Sequence, residues 1–211
     1  MREPAEKPDA ITDSQLLERH VQGDAQAFGA IVGRYEKELF SFLARFTGDP
    51  ALAEDVFQET FLQLHLSAQT FDFKRRLRPW LFTIAANKAR DALRSRRRRP
   101  AASLDAPIGL EGQSRAIYAD LLEGKIPPPD ETAENLETRR HVEDMVRQMP
   151  ESLQMVLLLN YFYGFPYKQI AEILEIPLGT VKSRLHAAVG QFAQMWKAHA
   201  EGRSHDGTTN G

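Results

Sequence analysis

The chain has 211 residues, 42% hydrophobic and 27% charged, with 27 Lys and Arg against 29 Asp and Glu; this holds one large domain or two small ones. The absence of cysteine excludes a disulfide framework, a thiolate metal site and a Cys nucleophile, and it fits a cytoplasmic protein. The polar start, MREPAEKPDAITD, offers no secretory signal, and no apolar run reaches the ~20 residues of a membrane span, so no membrane insertion is expected.

Residues 1–13 read as a disordered N-terminus. Asp24 is placed to cap a helix in which Phe28, Ile31, Tyr35, Leu39, Phe42 and Phe46 recur at steps of three and four, on one face. The triplet GDP at 48–50 then breaks the chain. Asp49 suits an N-cap and Pro50 a first helical turn. The next helix spans about Ala51 to Leu66, with Val56, Phe57, Phe61 and Leu64 on a core side. Leu52, Asp55, Glu59, Leu62 and Gln63 share another face. An aromatic and basic segment, FDFKRRLRP, follows, and Pro79 is predicted to start the helix WLFTIAANKARDALRSRRRR.

Residues 100–136 differ in kind. The stretch holds Pro100, Pro107, Pro127, Pro128 and Pro129 together with Gly109, Gly112 and Gly124, and helical periodicity is lost outside Ile117–Leu122. The stretch reads as a linker, since so long an irregular segment is uncommon inside one compact domain. Beyond it, NLETRRHVEDMVRQMP predicts a helix stopping before Pro150. ESLQMVLLLNYFYGF predicts a second, ended by Gly164 and Pro166, and YKQIAEIL a third. A fourth starts near Pro177 and reaches about Trp196. Residues 198–211 read as a disordered tail. No alternating strand pattern is present. The expected fold is all-α: two small helical domains joined by a flexible linker, the C-terminal one a helix-turn-helix.

The net charge of −2 hides a segregation. Residues 74–99 carry eleven Lys or Arg against one acid, Asp91, whereas residues 104–137 carry eight acids against Arg115 and Lys125. A solvated surface ordinarily mixes the signs, so the basic stretch points to a polyanion partner. An exposed basic tail is the plainer reading, but here the run continues a helical pattern.

The last two helices carry a motif. YKQIAEIL turns Ile170, Ala171 and Leu174 inward, and EIPLG is short enough to set the following helix at a steep angle, as in a helix-turn-helix. Val181, Leu185, Val189 and Phe192 form the expected buried stripe. Lys182, Ser183 and His186 then lie together near the helix start, where a recognition helix meets base edges. A plain helical hairpin with a solvated polar face satisfies the same pattern.

YFYGFPYKQIAEILEIPLGTVKSRLHAA resembles the fourth region of bacterial sigma factors of the extracytoplasmic-function type. GDAQAFGAIVGRY, GDPALAEDVFQETFLQLH and RPWLFTIAANKARDALR resemble that family's second region, in the expected order. The resemblance assigns residues 14–99 to region 2, 100–136 to the linker and 137–197 to region 4. It implies a protein, not an enzyme and without cofactors, that binds RNA polymerase core, recognises promoter DNA and promotes strand opening. It also implies an anti-sigma protein as a further partner.

Carried over by residue, the resemblance places Leu52, Asp55, Gln58, Glu59, Leu62 and Gln63 on the polymerase. A mixed apolar and acidic face suits a basic helical partner, although a solvated acidic face looks the same in sequence. FDFKRRLRPW corresponds to the loop that captures the unpaired minus-ten strand, through Phe71, Phe73, Lys74, Arg75, Arg76 and Trp80, with Arg78 adding charge. Aromatics interleaved with bases suit single-stranded DNA, and at least one of the three rings is expected in the core instead. Asn87 and Arg94 resemble promoter-facing residues, Asp91 a residue that orients an Arg, and Arg96–Arg99 contacts to phosphates. Thr180, Lys182, Ser183, Arg184 and His186, after Gly179, match the minus-thirty-five reader. Family members often carry a base two or three positions beyond Leu185, where this chain has Ala187 and Ala188. The acidic linker reads as a polymerase-channel segment or as a simple tether.

Two rivals share parts of the pattern. A regulator with a C-terminal helix-turn-helix and a sensing domain needs neither the clamp face nor the single-strand loop. A metal-dependent helical-bundle enzyme could use Glu54, Asp55 and Glu59, but it needs partner carboxylates and E-x-x-H steps that the sequence lacks.

Overall fold

In a computed structural model the described residues, 11–98 and 133–206, are helices with short connections. They form two compact units. The first contains α1 (Asp13–Val21), α2 (Ala25–Thr47), α3 (Pro50–Ser67), a single 3-10 turn (Ala68–Thr70) and α4 (Leu77–Arg98). The second is built mainly from α5 (Ala133–Arg147), α6 (Glu151–Leu157) running into a π turn (Leu158–Phe162), α7 (Tyr167–Leu174) and α8 (Leu178–Asp206). No described helix is long and apolar enough to cross a membrane. Most of the expected linker lies outside the described residues, but its last four positions, from Ala133, already belong to α5.

Side chains set the helix starts in the first unit. Thr12 and Gln15 form a reciprocal capping box: the Gln15 amide donates to Thr12 Oγ1 at 3.3 Å, and the Thr12 amide to Gln15 Oε1 at 2.9 Å. A helix therefore begins where the sequence was expected to be disordered to residue 13. Asp24 accepts from the Gln26 and Ala27 amides, and Asp49 from those of Ala51 and Leu52, each pair satisfying orphan donors of the first turn. Between α2 and α3, Gly48 adopts φ 68°, a left-handed C-cap open to glycine without steric cost. α4 starts at Leu77 rather than Pro79. Pro79 lies in the first turn, where a missing N–H removes no helical bond, and Leu77 is pulled into the core.

Leu17, Ile31, Leu39, Phe42, Leu43, Val56, Leu64, Leu81 and Phe82 are all buried. Each contributes about 1.5–3 kcal/mol relative to exposure. The Phe42 and Phe82 rings meet at 5.1 Å between α2 and α4. Thr60, fully buried, donates its hydroxyl to the Val56 carbonyl at 2.7 Å and so carries no unmet polar atom. α1 is tied to α2 by Asp13, which accepts from both Arg34 and the Tyr35 hydroxyl. Burial, followed by that carboxylate, pushes the Tyr35 phenol well above its ordinary range. At the other end of α1, His20 Nε2 lies 3.0 Å from His65 Nδ1, with Phe28 against both rings. Burial and then His65 hold His20 below its usual pKa.

In the second unit Met155, Val156, Leu158, Leu159, Phe165, Ile170, Val181 and Leu185 are buried. The segment expected as one helix, 151–165, widens after Leu157. The Tyr163 amide reaches back five residues to Leu158, Gly164 takes φ 67°, and Asn160 Nδ2 donates to the Phe165 carbonyl at 3.0 Å. In α8 the buried line runs Val181, Leu185, Ala188, and Val189 is 41% exposed. The expectation of Val189 in the stripe is thus corrected. A step of three from Leu185 keeps the 3.6-residue period, and the small Ala188 fits where α6 and α8 pack. α8 also runs to Asp206 instead of ending near Trp196, because 193–200 consists largely of strong helix formers without a breaker. Residues 207–211 of the expected tail lie outside the described residues.

The turn between α7 and α8 holds the non-glycine residue Glu175 at φ 54°, with the Ile176 amide donating to the Ala171 carbonyl at 3.0 Å. Left-handed backbone costs an L-residue roughly 1–2 kcal/mol, and glycine removes most of that. Glu175→Gly should therefore leave the unfolding free energy, read from the urea midpoint, unchanged or raise it by up to about 1 kcal/mol. Glu175→Val, β-branched at positive φ, should lower it by at least about 1 kcal/mol. Equal midpoints for the two variants would contradict the turn geometry.

Candidate polymerase and nucleic-acid interfaces

The outward side of α3 presents Asp55, Gln58, Glu59 and Leu62 to solvent, with Leu52 and Gln63 half-buried at its edges. Val56, Phe61 and Leu64 turn to the core, as their spacing requires, while Phe57 is half-buried. Leu66, not singled out from the sequence, extends the outward line: it is 67% exposed, and Leu62 is 58% exposed. The four-residue step from Leu62 was the signal, masked by apolar residues on both sides of this helix. The face is acidic over its first turns and apolar over its last. Glu54 Oε1 accepts from Gln58 Nε2 at 3.1 Å, which orders one edge of it.

The loop after α3 is shaped by Asp72, whose side chain accepts from the Lys74 amide at 3.0 Å and whose carbonyl accepts from the Arg75 amide at 2.8 Å. This tight turn puts Phe73, Lys74, Arg75 and Arg76 on the surface. The three aromatics separate by role. Phe71 is buried at 7% exposure and lies 4.7 Å from the half-buried Trp80 ring. Phe73, 41% exposed, packs edge-on against Phe71 at 5.4 Å. Phe71 is therefore the support of the cluster and Phe73 its accessible face. Arg78 does not belong to the loop's exposed charge: it makes a two-pronged bond to Glu38 of α2 and lies over the Phe82 ring.

On α4, Arg94 Nη1 donates to Asp91 Oδ1 at 3.3 Å, the orienting contact expected of Asp91. Asn87 is half-buried, and its Oδ1 accepts from Arg90. Two ion pairs join α4 to α3 and its cap: Lys88 Nζ to Glu59 Oε2 at 3.4 Å, and Arg96 Nη1 to Asp49 Oδ2 at 2.5 Å. Arg96 is thus tied to the protein. Arg97 and Arg98 are exposed, and Arg99 lies outside the described residues.

At the start of α8 the Thr180 and Val181 amides donate to the Pro177 carbonyl at 2.9 and 3.2 Å, which opens the helix. Lys182, Ser183 and His186 are exposed together, Arg184 is half-buried beside them, and Thr180 is half-buried at the helix mouth. The Ser183 hydroxyl donates to the Thr180 carbonyl at 3.1 Å, leaving its oxygen able to accept from a base or a protein donor. Among the described residues no group of three or more His, Cys, Asp or Glu side chains is placed to hold a metal ion.

Residues 31–99 match the family model of sigma-70 region 2, and residues 139–191 that of sigma-70 region 4. The chain is 32% identical over 166 residues to the extracytoplasmic-function (ECF) RNA polymerase sigma factor SigW of Bacillus subtilis, covering 78% of this chain and 86% of the relative. The chain belongs to the ECF sigma factors. It is also 33% identical to the RNA polymerase sigma-H factor of Pseudomonas aeruginosa, covering 83% and 89% of the two chains. With the ECF RNA polymerase sigma-E factor of Haemophilus influenzae the identity is 32%, covering 84% and 92%. Among solved structures, CnrH in complex with the cytosolic domain of CnrY matches with a TM-score of 0.61 at 22% identity, over 88% of this chain and 97% of that one. The sigma factor RpoE of Bartonella quintana, in complex with the anti-sigma factor NepR, matches with a TM-score of 0.59 at 19% identity, over 82% and 98%. These two show a shared fold. As an ECF sigma factor, the protein takes part in promoter recognition and transcription initiation by RNA polymerase.

The geometry separates a buried supporting ring from an exposed one in this sigma factor's loop. Phe71→Ala should lower the stability of the first unit by about 3–5 kcal/mol, the cost of emptying a buried ring site. Phe73→Ala should change it by less than about 1 kcal/mol while reducing affinity for single-stranded DNA. Denaturant melts and oligonucleotide titrations of the two variants check the split, and comparable destabilisation by both would place Phe73 in the core.

Proposed function

We propose that residues 14–99 grip polymerase and open the minus-ten element, that residues 137–197 read the minus-thirty-five element, and that residues 100–136 connect them. The observation that carries this reading is the layout of the first unit. An outward acidic and apolar face on α3 stands beside a loop of exposed cations around one accessible aromatic ring. Leu52, Asp55, Gln58, Glu59, Leu62, Gln63 and Leu66 form the docking face for a basic helical segment of core polymerase. Its acids orient the encounter and its leucines bury on docking. Phe73 stacks an unpaired base of the non-template strand, with Lys74, Arg75 and Arg76 holding the phosphates on either side and Phe71 and Trp80 supporting the ring. Asn87 and Arg94 meet the adjoining promoter DNA along α4. Lys182, Ser183 and His186 enter the major groove of the upstream element, flanked by Thr180 and Arg184.

The protein supplies no covalent chemistry in this scheme. It works in the cytoplasm, where polymerase and promoters are, and an anti-sigma protein is a further partner. The Bartonella relative in complex with NepR supports such a partner by analogy of fold.

Charge reversal tests the docking face. Asp55→Arg combined with Glu59→Arg should abolish co-purification with core polymerase while leaving helical content intact, because reversal adds repulsion to the missing attraction. Undiminished co-purification would sink the assignment. Lys182→Ala and Ser183→Ala test the reader. Removing a direct hydrogen bond to a base should cost about 1–3 kcal/mol on the cognate upstream element and little on others, whereas removing a phosphate contact should weaken all sequences alike. Run-off transcription with core polymerase and a promoter library separates the two, and parental activity from both variants would remove α8 as the reader.

A further inference from the structure

The two ion pairs across the α3–α4 seam are not equivalent. Asp49 also caps α3, since Oδ1 accepts the Ala51 and Leu52 amides while Oδ2 holds Arg96. Releasing it from its place would uncap the helix. Glu59 has no such duty. It lies in mid-helix, its side chain is 60% exposed, and its one ion pair among the described residues is with Lys88 at 3.4 Å. Lys88 follows Asn87 on α4, in the helix whose surface also carries Arg94, and its side chain is 34% exposed. One carboxylate thus belongs to the face assigned to polymerase, and its cation borders the surface assigned to DNA.

We propose that Lys88 is a DNA-phosphate contact that Glu59 holds in the free protein and releases when a basic side chain of core polymerase takes the carboxylate. The idea rests on the docking and DNA faces given under the proposed function. An exposed Lys–Glu pair is weak and exchanges readily. An incoming guanidinium, able to bind both carboxylate oxygens, displaces a single ammonium contact. Lys88 Nζ then reorients toward the backbone of DNA lying along α4. The hand-over is reciprocal: phosphate that captures Lys88 frees Glu59 for polymerase, so each ligand favours the other. It gives the free sigma factor one fewer phosphate contact than the holoenzyme.

The test uses the full chain, alone and saturated with core polymerase, with a labelled duplex of arbitrary sequence titrated across salt concentrations. In the free protein Glu59→Gln should raise affinity by about three-fold at low salt and steepen the salt slope by about one unit. Glu54→Gln makes the same change of charge on α3, but its carboxylate is paired with Gln58 rather than Lys88; it should give a clearly smaller gain. Lys88→Gln should erase the effect of Glu59→Gln when combined with it. In holoenzyme Lys88→Gln should flatten the slope by about one unit, and Glu59→Gln should give no gain. An equal gain from Glu54→Gln, a gain that survives in the Lys88→Gln background, or a parental holoenzyme slope for Lys88→Gln each overturns the hand-over. The docking reading fails separately, if the Asp55→Arg, Glu59→Arg variant still binds core. That result removes the release step, while the free-protein comparison alone decides whether Glu59 masks Lys88.

Discussion

Ala85, Ala86 and Ala89 are fully buried, and their small side chains let the α4 backbone settle against α2 and α3. The Phe82 ring then reaches Phe42, and the three helices share one core. Volume added along this line has no space to enter without moving a helix. The consequence reaches the surface. With the inward sides of α3 and α4 committed to packing, their outward sides are fixed next to each other. One carries acids and leucines, and the other carries bases. The nearness of an acidic and apolar surface to a basic one follows from three alanines.

The second unit solves a different problem with similar economy. α8 keeps its first turn exposed and is anchored further along. The short connection from Leu174 to Leu178 sets the angle by holding Glu175 in left-handed backbone, and Val181, Leu185 and Ala188 supply the anchor. Few cations lie on this exposed turn: Lys182 is joined by Ser183 and His186 rather than by a run of arginines. On the proposed function, such a surface suits hydrogen bonds to base edges more than a general hold on phosphates.

Much of this was legible in the sequence, and the failures have physical causes. α2 was readable because six large apolar residues keep one period over 19 residues between a capping Asp and a terminal Gly. α7 was found at its exact bounds, 167–174, because Pro and Glu-Ile-Pro segments isolate it. α1 was missed because only Leu16 and Leu17 are buried in it, and its signal is a capping box rather than a stripe. Ala188 gave way to Val189 because a reading by hydrophobicity prefers the larger side chain, whereas close helix packing prefers the smaller. The roles of Phe71 and Phe73 had no period to decide them, since both lie in a loop. Contacts such as Arg78 with Glu38, forty positions apart, exist only once the helices are packed. The residue-level interfaces therefore rested on resemblance to the family, and the geometry adds which of those side chains are accessible.

A net charge of −2 looks ill-suited to a protein that works on DNA, but net charge governs distant attraction and not the fit at contact. Beyond a Debye length of about 8 Å exposed charge is largely screened, and what counts is its local arrangement. The exposed Lys74 and Arg75 stand on the loop that follows α3, while Lys88 and Arg96 are each held by an acid across the seam. The basic stretch is thus graded: Lys74 and Arg75 are exposed on the loop, and charge is damped along the α4 flank that faces Glu59 and Asp49. Duplex DNA approaching α4 therefore meets cations already paired with acids. On the proposed function, promoter affinity then depends on polymerase drawing Glu59 away from Lys88.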